Sequence, residues 1–150
     1  MNHALSADAS VAAKWVLDEE YADHARSLLT DGLRPGQTLI MPPHGPGEVV
    51  NAIYQRIRVS DPAKRLDVDI VDRAVVDFLR FPVRILAPPD LYRQAFIFAR
   101  DLALPSIYDS LYVVLAQLES VELWTADRRL LNALGGAAPW VRFIGDYPLQ

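Results

Sequence analysis

With 150 residues, 51% of them apolar, and 19 Asp and Glu against 15 Lys and Arg, the chain reads as one domain with its own core and a net charge of −4, a balance that argues against a protein coating nucleic acid nonspecifically. There is no cysteine, and the three histidines (His3, His24 and His44) are scattered, so disulfide frameworks and thiolate zinc sites are excluded and a histidine-rich metal site is disfavoured. No stretch reaches the roughly 18 apolar residues of a membrane span and no basic-then-apolar leader opens the chain, so a cytoplasmic protein is expected.

The prolines punctuate the chain rather than forming a linker, and no repeat or low-complexity tract interrupts it. Ala4-Leu5-Ser6-Ala7 is a weak strand candidate on propensity, kept for its position before Asp8. Ser10 to Leu17 predicts a short helix, and Ala22 to Leu29 a second one ending at Asp31-Gly32. Thr38 to Met41 is a short buried strand stopped by Pro42-Pro43. From Glu48 a helix face carries Val49, Ala52, Ile53 and Ile57 and closes near Ser60. Asp61-Pro62 predicts the next helix start, an N-cap acid before a first-turn proline. That helix is expected to run to about Leu79 with Leu66, Ile70, Ala74 and Phe78 on one stripe. Val83 to Leu86 reads as a strand, and Asp90 as the cap of a helix reaching Leu102. Tyr108 to Leu118 is apolar on nearly every side, the pattern of a central buried helix. Val121 to Trp124 (strand), Asp127 to Leu134 (helix) and Val141 to Ile144 (strand) complete the chain. Strands alternating with helices predict a short, mostly parallel sheet covered on both faces, a three-layer α/β/α fold.

Four acids fall where the chain leaves a predicted strand or enters the following helix, with small or apolar neighbours: Asp8, Glu48, Asp109 and Asp127. Such places converge at the carboxyl ends of parallel strands. Carboxylates gathered there raise one another's pKa unless a cation neutralises them, which points to a divalent ion. Magnesium or manganese suits an all-oxygen site, and such sites serve phosphodiester chemistry. Each acid also has a plain structural reading. Asp8 and Asp127 fit as helix caps, Glu48 as an ordinary first-turn acid, and Asp109 as a helix-terminal acid favoured by the dipole. Asp109 is the strongest signal, because the rest of its helix is almost entirely apolar.

Taken in order, the stretches Asp8 to Trp15, Glu48 to Ile53, Ser106 to Ala116 and Thr125 to Leu130 resemble the PIN-domain family, specifically the VapC-type toxin ribonucleases of toxin and antitoxin pairs. The resemblance spans nearly the whole chain, from Leu5 to about Phe143, as a single PIN-like domain. It implies Asp8, Glu48, Asp109 and Asp127 as metal-binding and catalytic acids, with Ser10, Asn51, Ser106 and Thr125 as supporting polar groups. It further implies an Mg²⁺- or Mn²⁺-dependent endoribonuclease leaving 5′-phosphate and 3′-hydroxyl ends, a homodimer, and a VapB-like antitoxin whose tail covers the cleft. Trp15 and Leu28 mark the expected antitoxin surface, although core packing accounts for them equally well. Arg56, Arg58, Arg128 and Arg129 stand near these stretches and are candidates for holding RNA phosphates, or merely solvated helix faces. Two departures stand out: the first strand lacks the family's β-branched residues, and Pro42 to Gly47 is richer in helix breakers than the family pattern. The rival readings are a PIN-like binding or scaffold module without catalysis, and a phosphoryl-transfer domain with Asp8 as nucleophile. The latter fits less well, since no Asp stands two residues beyond Asp8.

Overall fold

The computed structural model describes residues 3–150. Its sheet comprises five strands, β1 (His3–Ala7), β2 (Gln37–Met41), β3 (Val83–Ile85), β4 (Leu123–Thr125) and β5 (Val141–Phe143). They lie in the order β3-β2-β1-β4-β5 with every pairing parallel. The helices are α1 (Ala9–Ala12), α2 (Ala22–Gly32), α3 (Gly45–Tyr54), α4 (Val68–Leu79), α5 (Leu91–Asp101), α6 (Ile107–Leu118) and α7 (Arg128–Leu134). Side chains alternate across a strand, and the alternation separates two layers. Ala7, Leu39, Met41 and Trp124 join Val11, Leu28, Val49, Ile53 and Phe78 on the face covered by α1 to α4. Ile40 turns the other way onto Leu91, Leu111 and Leu115, and Leu123 and Val141 onto Tyr112, Leu130 and Leu134, so α5 to α7 cover the second face.

The weakest predicted strand occupies the centre. β1 is bonded to β2 on one side and β4 on the other, and its small residues suit that place, with Ser6 and Ala7 buried beneath helices. Strand preference here follows from packing and not from intrinsic propensity. The same economy of space appears in α2, where a Cβ on Gly32 would stand 2.3 Å from Leu39 Cδ2.

Several predicted elements differ in detail. The helix expected from Ser10 to Leu17 is one α-turn followed by a 3-10 turn over Ala13–Trp15. The helix expected from Asp61 to Leu79 is two pieces. Asp61 caps only a 3-10 turn, Pro62–Lys64, by accepting from Ala63 N at 3.0 Å. The chain then extends at Arg65, whose guanidinium donates to Val59 O at 2.6 Å, and Leu66 N is drawn back to Arg56 O. α4 starts afresh with Asp67 as its cap, accepting from Asp69 N at 3.1 Å. The new start rotates the buried stripe to Val71, Ala74 and Phe78, leaving Ile70 56% exposed. Asp90 stands at the N-cap of α5 in a helical conformation and makes no capping bond from its side chain. Trp15 and Leu28 are buried core residues, 5% and 0% exposed, so they do not supply the surface suggested for an antitoxin. No helix among the described residues is long and apolar enough to cross a membrane.

Candidate active site

β1 sends the chain to β2 on one side, while the later crossover enters β4 on its other side. A crevice opens at such a switch point, beyond the carboxyl ends of the strands. Asp8 is the first residue past β1, with its N–H bonded to Trp124 O across the switch at 3.2 Å. Its carboxylate caps α1, Oδ1 accepting from Val11 N at 3.2 Å and from the Ser10 hydroxyl at 2.5 Å. The Thr125 hydroxyl donates to the other oxygen, Oδ2. Ser10 Oγ also accepts from Ala126 N at 2.9 Å, and Thr125 Oγ1 from Asp127 N at 3.0 Å. This network ties the turn after β1 to the turn after β4. Burial pushes the Asp8 carboxyl up to about 6, against the lowering effect of its hydrogen bonds, and the Asp109 charge adds to the rise.

Glu48 enters from the other side. The breaker-rich stretch before it begins α3: His44 is the N-cap and Pro46 lies in the first turn, where a missing N–H is harmless. Glu48 therefore stands at the end of that first turn, in a helix that starts three residues earlier than its apolar pattern alone predicts. His44 Nε2 lies 3.3 Å from Glu48 Oε1. His44 is the main cause holding the Glu48 carboxyl below its usual range, outweighing partial burial, and the Tyr112 hydroxyl adds to it.

Asp109 lies in the first turn of α6, whose cap is Ser106, its Oγ accepting from Tyr108 N at 3.3 Å. Partial burial raises the Asp109 pKa, and the charges of Asp127 and Glu48 raise it further, while His44 opposes them. Asp127 caps α7, its Oδ1 accepting from Arg129 N at 2.9 Å and Leu130 N at 3.3 Å. Cap and cluster member are thus compatible roles. The four acids act on one another electrostatically, and Tyr112 stands among them. Burial drives its phenol far above the usual range, and Glu48, Asp8 and Asp109 push it the same way. Its residue is 1% exposed, yet the hydroxyl completes no well-aligned hydrogen bond. Tyr112 is absent from the sequence-based candidates, although a tyrosine three residues after Asp109 on a largely apolar helix stands on the same face as that acid.

The remaining candidates divide. Asn51 is exposed, with Oδ1 accepting from Gln55 at 3.4 Å. Arg56 is held by Glu19, which also pairs with Lys14 at 3.4 Å. Arg58 lies over the Tyr54 ring at 5.9 Å. Arg128 stacks over Phe143 at 4.1 Å and donates to the Tyr21 hydroxyl, whereas Arg129 is exposed with no carboxylate partner among the described residues. As the side chains stand, no three acids or histidines among the described residues meet closely enough to enclose an ion; Asp8 turns both oxygens to hydroxyls and Asp127 spends one on its helix. The donor set nevertheless suits a hard divalent ion: carboxylates with raised pKa values, an unpartnered buried hydroxyl and no sulfur.

No family model matches the sequence, and no curated protein does. Solved structures do match. PAE2754 from Pyrobaculum aerophilum superposes with a TM-score of 0.65 at 21% identity, over 97% of this chain and 93% of that one. The fold is PIN-like. VapC20 of Mycobacterium tuberculosis, a sarcin-ricin loop cleaving toxin, superposes with a TM-score of 0.58 at 17% identity, over 86% of this chain and 94% of its own. Likenesses at this identity concern the PIN-like fold and leave the chemistry to the residues.

Proposed function

We propose that the chain is a metal-dependent endoribonuclease, the toxin of a type II toxin and antitoxin pair. The supporting observation is the convergence of Asp8, Glu48 and Asp109 on the β1–β4 switch point, each influencing or influenced by another acid's charge. Asp8, Glu48 and Asp109 would hold an Mg²⁺ or Mn²⁺ ion, with Asp127 at the rim. When bound, such an ion neutralises phosphoryl charge and acidifies a water for in-line attack. Ser10 and Thr125 fix the Asp8 carboxylate by their hydroxyls, and His44 keeps Glu48 ionised. Arg128 and Arg129, at the start of α7 beside Asp127, would receive phosphates on this reading, Arg128 after leaving its contacts with Phe143 and Tyr21.

The likeness to a toxin that cleaves the sarcin-ricin loop supports RNA as the substrate class and a VapB-like antitoxin as partner. With Trp15 and Leu28 in the core, such an antitoxin must use other side chains. Homodimerisation and a cytoplasmic place belong to the same reading. Expression of the chain alone is expected to arrest host growth, and Asp8→Ala or Glu48→Ala to relieve the arrest while the protein stays folded. Folded variants as toxic as the wild type would overturn the nuclease mechanism. A catalytically inactive PIN-like module predicts no growth effect and no metal binding.

A further inference from the structure

His44 is the N-cap of α3 and stands one helical turn before Glu48. Its ring lies against those of Tyr108 and Tyr112, with centroids 5.5 and 4.9 Å away. Neither ring nitrogen is open to solvent, and neither completes a hydrogen bond. The 3.3 Å approach of Nε2 to Glu48 Oε1 is close enough for an ion pair, but not aligned as a hydrogen bond. A shielded nitrogen left in that condition is unfavourable. An ion held by nitrogen and oxygen together would resolve it. Neighbouring ligands of an octahedral ion, each at about 2.1 Å, are about 3.0 Å apart, close to the spacing already present. The Tyr112 hydroxyl, likewise shielded and completing no well-aligned hydrogen bond, faces the same carboxylates, and Asp109 lies within electrostatic reach of His44.

We propose that His44 is a nitrogen ligand of the metal site beside Glu48, and that it biases the site toward Mn²⁺ over Mg²⁺. Imidazole suits transition metals, whereas Mg²⁺ is a hard ion that favours oxygen. On binding the ion, Nε2 would give up its contact with Glu48 and coordinate as the unprotonated nitrogen, with the ring proton on Nδ1. The inference rests on the metal-binding reading above, and its test separates the two. The ordinary alternative is that His44 only fills space between two tyrosines, a role that His44→Phe preserves.

Mn²⁺ and Mg²⁺ are titrated by calorimetry into the metal-free full-length chain and into His44→Phe and Asp109→Asn. Bound Mn²⁺ is examined by hyperfine spectroscopy for coupling to nitrogen. The expected wild-type spectrum shows one imidazole coupling. His44→Phe loses that coupling and about tenfold or more of its Mn²⁺ affinity, the scale of a perturbed metal site, with Mg²⁺ affinity changed far less. Mn²⁺ that binds without nitrogen coupling, at a site weakened by Asp109→Asn, would overturn the His44 assignment and leave the acidic metal site standing. Absence of saturable Mn²⁺ binding to the wild type would overturn both. The wild-type spectrum alone decides the ligand if His44→Phe does not fold.

Discussion

At the scale of single residues, Asp8 shows how a site stores electrostatic tension. Its folded pKa is about 6 against an ordinary 3.8, so the native state keeps a proton that the unfolded state releases. Stability from this group is therefore complete below 3.8 and is lost as pH rises through about 6. A gap of about two units corresponds to about 3 kcal/mol at most. Metal-free Asp8→Asn is expected to exceed the wild type in stability at pH 7 and to match it near pH 4, measured by thermal or urea unfolding with a chelator present. Parallel stability curves for the two proteins would show that Asp8 is not desolvated. Glu48 has the opposite sign: its lowered pKa gives stability that is lost as pH falls below its ordinary 4.5, an effect reduced by its partly exposed position. Asp109 and Asp127 separate by burden. Asp127 already spends Oδ1 on two backbone N–H groups, and Asn caps as well as Asp. Single-turnover RNA cleavage is expected to fall about a hundredfold or more in Asp109→Asn with little rescue by excess Mg²⁺. Asp127→Asn should lose less and recover with added metal. The reverse order would place the ion nearer the turn after β4.

At the scale of elements, the start of α3 decides where Glu48 points. A Cβ at Gly45 would lie 2.9 Å from Met41 Cβ and 3.1 Å from its sulfur, whereas nothing stands within 4 Å of one at Gly47. Gly45→Ala is expected to destabilise by about 1–3 kcal/mol in chemical denaturation, while Gly47→Ala is neutral or slightly stabilising in the helix. Equal effects would mean that Met41 yields freely. The same segment shows what a sequence reveals and what it hides. Pro42 to Gly47 reads as an interruption, because breakers are counted by type. In the fold they are a helix start, since Pro46 falls in the first turn, where breakers are tolerated. The alternation of strands and helices, the buried α6 and the polarity of the acid-bearing turns were legible, because period and capping chemistry are local. The break near Arg65 was not: it depends on a guanidinium reaching back to Val59 O. Nor was Tyr112, whose importance arises only when Glu48 and Asp8 arrive from other elements. The centrality of β1 was equally hidden, being set by what lies on both sides of Ser6 and Ala7.

At the scale of the whole molecule, the proposed ion binds only the assembled fold and so must stabilise it. At one hundred times its dissociation constant Mg²⁺ or Mn²⁺ should add about 2.7 kcal/mol, visible as a rise of several degrees in the unfolding midpoint. The rise should be absent in Asp109→Asn, and an unchanged wild-type midpoint at saturating metal would count against the site. The hydroxyl of Thr125 reaches the carboxylate of Asp8 across 117 positions of sequence, and this has a consequence for biosynthesis. A chain growing at about 5–20 residues per second carries its first acid long before the strand that seats it has emerged. On the proposed function, an unfinished polypeptide leaves the RNA around it intact, and potency arrives only once β4 has joined the sheet. Nascent chains stalled before Leu123 and supplied with Mg²⁺ should leave RNA intact, whereas released full-length protein should cleave it. Cleavage by the stalled chains would show that β1 to α6 suffice without the far side of the sheet.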